Sequence, residues 1–303
     1  MRRLLNKDFL LSLLDMLLMR ANIDNGFIEE QPKPEDWKAE LGGTRKVYLP
    51  SSNWKKYRST GERQKRENSS ETMACVSYAT HNAIEQKMNR MKEMVEDKTA
   101  DEEIIELVKI FNYFELYDEK GEANCSDPYT AKLSNTSYRG NSYNNVLQSI
   151  RHNGVVAEKF WQTPEKYTWN EYYKNVDLEV FNKGKEFAEY VEVTHEWVAP
   201  NLFNHFKKFS PILTSVHAGR DWMNTNIEIK PYTNKPHNHA VDNDYYRLNE
   251  YNGIEDSYLP HGKKIAWDYP LGVGKIIDFK LKKPLDKEVK HKCPECGYEH
   301  TLH

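Results

Sequence analysis

Cysteine, charge imbalance and long apolar runs are all scarce in this 303-residue chain, and each shortage excludes a class of protein. Four cysteines, Cys75, Cys125, Cys293 and Cys296, are too few and too unevenly spaced for a disulfide scaffold. The expected setting is therefore cytoplasmic or otherwise reducing. Lys and Arg, 43 together, nearly cancel 46 Asp and Glu for a net charge of -3, so there is no strong electrostatic footprint for nucleic acid or anionic lipid. No apolar stretch is long enough to cross a bilayer. The run from Phe9 to Met19 behind Arg2 and Arg3 imitates a signal peptide, but Asp15 interrupts it and no small-x-small cleavage site follows. Residues 4–20 are instead predicted to form an amphipathic or buried helix. Internal repeats are absent too, so the two halves of the chain are not copies of each other.

Aromatic residues are plentiful. Eleven Phe, 7 Trp and 19 Tyr supplement an apolar share of 38%, enough to build a core and to argue against wholesale disorder. From Asn22 to about Lys65 the chain is punctuated by Pro32, Pro34, Gly42, Gly43 and Pro50, with only Lys46 to Leu49 resembling a strand. Apolar residues then recur at helical spacing from Met73 to Met94, and Glu102 to Tyr113 gives a second helix. Asn124 to Asn141 reads as a loop. Ser142 to His152 reads as a third helix, stopped by Asn153-Gly154. Helical patches follow around Lys183 to Tyr190 and Val198 to Phe209. Beyond them Pro211 to His217, Asn226 to Lys230, Ala240 to Leu248, Lys263 to Trp267 and Lys275 to Lys282 read as strands. The expected organisation is a helical lobe over about 66–160 followed by a strand-rich lobe over about 205–285.

Cys75 stands where loop gives way to helix, in Glu71-Thr72-Met73-Ala74-Cys75-Val76-Ser77-Tyr78-Ala79-Thr80. First-turn amides and the positive helix end favour a thiolate there. Taken alone, a buried structural cysteine explains it as well. His239, in Pro236-His237-Asn238-His239-Ala240-Val241, could take a thiol proton and return it to a leaving amine. Asp256, in Glu255-Asp256-Ser257-Tyr258, could hold the other ring nitrogen.

In this order the three resemble the papain-like cysteine peptidases. Cys75-Val76-Ser77-Tyr78-Ala79 is similar to that family's nucleophile motif, and Ser126-Asp127-Pro128-Tyr129 to its Ser-Glu-Gln-aliphatic segment. Gly140-Asn141, Val146, Ile150 and Asn153 to Glu158 resemble the loop and helix that lead to its Gly-Gly-aliphatic-x-x-Glu stretch. His239-Ala240-Val241 resembles its histidine strand, and Asp256-Ser257-Tyr258 its Asn-Ser-Trp. The resemblance implies an α+β, two-lobe papain-like fold over residues 46–285, helical lobe first and barrel-like strand-rich lobe second, behind an extension over 1–45. It also implies hydrolysis of peptide, protein or cell-wall peptide amides by a Cys75, His239, Asp256 triad without a catalytic cofactor. Three departures stand out. No Trp follows Cys75, Asp256 replaces Asn, and no Gln lies six residues before the cysteine. Gln64, ahead of a longer loop, is the candidate oxyanion donor, with Asn68 the other nearby amide. The combination resembles in particular divergent members encoded by bacterial viruses, which implies virion association. A transglutaminase-like acyl transferase or amidase, and an inactive papain-like binding or virion component, are the rival functions.

Residues 286–303 carry a separate signal. Cys293, Cys296, His300 and His303 offer four ligands for a structural zinc ion, although their spacing is tighter than that of a finger with a helix between its ligand pairs. A redox Cys-x-x-Cys and a tail with incidental ligands are the alternatives.

Overall fold

The computed structural model describes residues 26–33, 36, 45–219, 222, 228–230, 236–247, 250–285, 290–292 and 299–301. The helix predicted over residues 4–20 lies outside these. The helical lobe begins at α1 (Cys75–Glu96), whose Val76, Ala83, Ile84, Met88 and Met91 are all sealed from solvent. Helix α2 (Glu102–Tyr113) starts where the Asp101 side chain accepts from Ile104 N and two glutamates fill the first turn. The stretch read as loop contains α3 (Asp127–Leu133), capped by Ser126 on Tyr129 N, with proline in its first turn. Helix α4 (Tyr143–Asn153) is capped in the same way by Ser142 on Asn145 N. A short α5 (Trp169–Tyr172) and α6 (Leu178–Tyr190) complete this lobe.

The second lobe is a six-stranded sheet of β1 (Val191–Val198), β2 (Ile212–Val216), β3 (His239–Arg247), β4 (Tyr251–Glu255), β5 (Gly262–Ala266) and β6 (Gly274–Leu281). Its order is β1-β6-β2-β3-β4-β5, and neighbouring strands are antiparallel. The barrel-like lobe expected from the sequence is therefore corrected to an open sheet. Strands β1 and β5 are outermost and do not pair with each other. Strands β2, β4 and β5 span five residues each, little length for the tilt and stagger that closure demands. The ribbon of β1 and β6 also leans on β2 through one register pair, Leu213 with Lys275. Between β1 and β2, the helical patch expected over Val198 to Phe209 shortens to a 3-10 turn and α7 (Phe203–Phe206). A two-stranded ribbon, β7 (Lys290–Lys292) with β8 (Glu299–Thr301), lies in the tail.

One apolar cluster joins the lobes, running from Val76, Ile84 and Met88 of α1 to Leu213, Ala240, Ile277 and Phe279 of the sheet. Polar contacts reinforce it. Lys87 Nζ of α1 donates to Ile277 O and to Asp278, each at 2.7 Å. Tyr143 Oη of α4 donates to Thr214 O at 2.7 Å and Val241 O at 3.1 Å. Helices α1 and α4 are thus both tied to the sheet, and the first residue of α1, Cys75, lies beside His239 at the start of β3.

Candidate active site

Cys75 opens α1 with 0% of its surface exposed, after an N-cap, Ala74, that offers no side-chain oxygen to the first-turn amides. The helix end therefore keeps its positive character for whatever anion forms there. His239, also 0% exposed, begins β3. Its Nε2 lies 2.7 Å from Asp256 Oδ1, while its Nδ1 is buried without a hydrogen-bond partner. Burial alone would lower the imidazole pKa. The Asp256 charge and hydrogen bond outweigh it, and with a smaller contribution from the Cys75 side chain push His239 up to about 10.

Asp256 is buried and held on both oxygens. Tyr258 N donates to Oδ1 at 3.1 Å, Trp222 Nε1 to Oδ2 at 2.5 Å, and Lys263 Nζ lies 3.0 Å from Oδ2. Burial opposes its ionisation, but His239 and Lys263 prevail and hold the carboxyl far below its ordinary range. The indole of Trp222 stands edge-on to His239 at 5.9 Å, and the ring of Tyr258 lies 5.3 Å away. These rings shield the His239 to Asp256 hydrogen bond from water, which strengthens it. Trp222 and Lys263 are ordinary residues in the sequence until the fold brings them to Asp256, whereas Tyr258 stands at the Trp place of the Asn-Ser-Trp resemblance.

Gln64 is buried between the loop before α1 and the loop after Asp256. Its Nε2 donates to Glu71 Oε1 at 2.7 Å and to Tyr258 Oη at 3.1 Å, and its Oε1 accepts from Ser257 Oγ at 2.9 Å. The same Glu71 oxygen accepts from Thr72 N at 3.0 Å and Met73 N at 3.3 Å. Both amide hydrogens of Gln64 are thus engaged, one of them by a carboxylate four residues before Cys75. From the side, Tyr173 Oη donates to Thr72 O at 2.5 Å, and Trp169 stacks on Tyr138 and lies tilted against Tyr173. Much of the aromatic stretch from Phe160 to Tyr173 is therefore packing for the loop that carries the cysteine.

An extended segment lies along Gly140 and Asn141. Asn141 N donates to Gly26 O at 2.9 Å, and Ile28 N donates to Asn141 O at 2.8 Å, a parallel bridge at Phe27. The approach requires glycine on both sides. Gly26 and Gly140 have φ of +92° and +90°, and a Cβ on Gly140 would stand 1.8 Å from Gly26 O. A Cβ on Gly26 would in turn meet Met73 O at 2.6 Å. Further along, the Glu30 carboxylate accepts from Asn144 N at 3.1 Å, and Phe27 packs on Tyr143 with ring centres 5.7 Å apart.

Two groups of acids lie outside this constellation. Asp242, Asp244 and Glu255 bring ligand oxygens within 4.8 Å of one another, an arrangement of the kind that can hold a cation. The Arg58 fork takes both Asp244 oxygens at 2.5 and 2.8 Å, and Gln86 Nε2 bridges Asp242 and Glu255 at 2.6 Å each, so much of this donor set is already used internally. In the second group, Glu62 and Glu158 are half-buried, and the Oε2 of each is sealed from solvent without a partner. Burial, then the neighbouring acids Asp127 and Glu62 respectively, pushes Glu62 up to about 8 and Glu158 up to about 9. A raised carboxyl binds an extra proton in the folded state. Its stabilising effect is complete below the ordinary value of 4.5 and is lost as pH rises through 8 to 9. Melting temperature is therefore expected to fall between pH 5 and pH 9. Glu62→Gln with Glu158→Gln should flatten that fall, as followed by circular dichroism. An equally steep decline in the double variant would remove these two acids as its cause.

Of the proposed zinc ligands, Cys293, Cys296 and His303 lie outside the described residues, and only the backbone of His300, in β8, is described. Cys125 is a free, buried thiol, its pKa raised by burial and by nearby Glu85. Among the described residues no helix is long and apolar enough to cross a membrane.

No family model matches the chain, and no curated protein matches it. Solved structures do. Xylellain, a cysteine protease from Xylella fastidiosa, is 16% identical with a TM-score of 0.52, covering 84% of this chain and 95% of its own. Digestive procathepsin L 3 of the Tenebrio molitor larval midgut is 10% identical with a TM-score of 0.51, covering 87% of this chain and 78% of its own. Procathepsin L2 from the same source is 13% identical with a TM-score of 0.50, over 86% of this chain and 76% of its own. At such identities the likeness is one of fold. The chain has the two-lobe architecture of the papain-like cysteine proteases, helical lobe against antiparallel sheet, in a distant form that points to no viral branch.

Proposed function

We propose that the protein hydrolyses peptide or related amide bonds with Cys75 as nucleophile, His239 as acid and base, and Asp256 as the group that orients the ring. The buried 2.7 Å hydrogen bond between His239 and Asp256, with the second ring nitrogen unpartnered, carries this assignment. In the proposed reaction the Cys75 proton rests on His239 Nδ1 as a thiolate–imidazolium pair, and the thiolate attacks the carbonyl carbon. The C–N bond then breaks as the imidazolium protonates the departing amine. Water attacks the resulting thioester, giving up its proton to His239, and the acid leaves with Cys75 restored. The N-terminal end of α1 favours both the thiolate and the oxyanion. Gln64 joins in stabilising the oxyanion only when the incoming oxygen displaces the Glu71 carboxylate from its amide.

The segment around Phe27 supports a peptide as the substrate, because it already pairs with Asn141 through backbone groups that any extended chain possesses. We read it as a pro-segment lying in the substrate groove, in keeping with the zymogen form named for the two Tenebrio relatives. A peptide-library digest read by mass spectrometry tests the function. Cleavage that requires Cys75 supports hydrolysis, whereas transfer to an added amine in preference to water would identify an acyl transferase. No turnover together with no preferential alkylation of Cys75 over Cys125 would leave a papain-like binding scaffold.

A further inference from the structure

The Asp256 carboxylate is not left to carry its charge alone. Lys263, on β5, has a fully buried side chain, and its three ammonium protons are matched by three oxygens: Asp256 Oδ2 at 3.0 Å, Tyr258 O at 2.6 Å and Pro260 O at 2.7 Å. We infer that Lys263 is a positioning residue for His239, and that its ammonium and the Asp256 carboxylate act as one buried, internally neutral unit that sets how strongly the imidazole holds its proton. This rests on the proposed role of His239, but its test does not require turnover.

The geometry makes the pair interdependent. One carboxylate oxygen holds His239 Nε2 and the other holds Lys263 and Trp222, so the imidazole and the ammonium approach the same acid from opposite ends. Each cation strengthens the ionisation of Asp256, while the ammonium subtracts from the field that the acid exerts on the ring. Other charged and titratable groups face the unit. Cys75 approaches His239 from α1, and His261 donates through Nδ1 to Asp256 O at 2.7 Å, itself under the influence of Lys263 and Arg63. Tyr258 carries the influence of Glu71. None of these contacts Asp256 Oδ2, so removal of Lys263 acts first on the acid.

Asp256→Asn is consequently not a mild change here. The amide can still accept from His239, yet it leaves a buried ammonium without its counter-ion close to the imidazole, expected to cost about 10²- to 10³-fold or more in the folding equilibrium. Removal of the lysine as well restores neutrality. The experiment is a titration of the His239 ring proton by NMR in the full-length protein, its signal identified by loss in His239→Gln, together with thermal melting of Asp256→Asn, Lys263→Met and the double variant. In Asp256→Asn the His239 midpoint should fall by about two pH units. In the double variant it should return upward by about one unit, and the melting temperature should recover beyond the sum of the two single changes. Equal His239 midpoints in Asp256→Asn and the double variant would overturn the inference, because a merely structural lysine would not move the ring's titration. If either single variant fails to fold, the double variant decides: a folded protein with a titrating His239 supports the unit, and an unfolded one rejects it. Iodoacetamide reactivity of Cys75, followed in the same samples, reports separately on the catalytic role. A wild-type Cys75 no more reactive than Cys125 would reject that role and leave the His239 result standing on its own.

Discussion

Peptide hydrolysis should drop by about four orders of magnitude or more in Cys75→Ala, with circular dichroism and melting nearly unchanged. The size of the drop follows from the loss of a nucleophile on which both chemical steps depend, so that what survives is binding and polarisation alone. The preserved fold follows from the site. Cys75 contributes a small side chain to the large shared cluster, and Ala keeps the helix start, where no side-chain cap is at stake. Initial rates on a cleavable peptide, with the variant at high concentration, measure the effect. Residual activity within tenfold of wild type would exclude Cys75 as the nucleophile.

The second large effect concerns access to that sulfur. Ile28→Pro should raise both the alkylation rate of Cys75 and peptide turnover by about tenfold. Proline removes the N–H that bonds Asn141 O at 2.8 Å, and its ring crowds the same oxygen. The net worth of such a bond is about 0.5–1.5 kcal/mol, and a shift of about 1.4 kcal/mol changes an opening equilibrium tenfold. Ile28 is itself 43% exposed, so its loss takes little from the core. Time-resolved labelling with iodoacetamide checks this against Cys125 as the internal standard. Unchanged or slower labelling of Cys75 would mean that residues 26–28 do not guard the groove.

Long periodic segments were legible from the residues alone. Val76, Ile84, Met88 and Met91 mark α1, and the range of α2 follows from the polar break before Glu102 and an apolar face at helical spacing. Short elements were not. Helix α3 has seven residues and no full apolar period, so its Ser126 cap and proline start passed for loop composition. Strand β1 follows α6 without a break, and its Val191, Val193 and Trp197 alternate with Thr194 and Glu196 too briefly to announce a change of period. Strand β4 lies among Asn and Gly residues that read as turn. Sheet closure is a property of strand order and length, which no local pattern contains. Lys46 to Leu49 looked like a strand but makes no ladder. Its Tyr48 and Leu49 amides share one acceptor, Lys208 O.

At the site, residue types with distinctive chemistry were legible because motif order singled them out: Cys75, His239 and Asp256. Their supports were not, since Lys263, Trp222 and Glu71 acquire meaning only through contacts made across the fold. The acidic group of Asp242, Asp244 and Glu255 was hidden for a related reason. Asp242 and Asp244 sit two apart on β3 and share a face, but Glu255 joins them only through the register of β4, opposite Asp242.

The attachment of α1 to the sheet has a consequence for how the molecule comes apart. Because Lys87 of that helix holds Ile277 and Asp278, and the same apolar cluster runs from Met88 to Phe279, the helical lobe and the sheet share the inner part of their interior, beside the sheet's own clusters around Val241 and Phe203. Peeling the sheet away would strip the helices of their inner face and break the Lys87 contacts, so half-melted forms gain little from the half that survives. Heat or urea should therefore dismantle both lobes together, in a single cooperative transition.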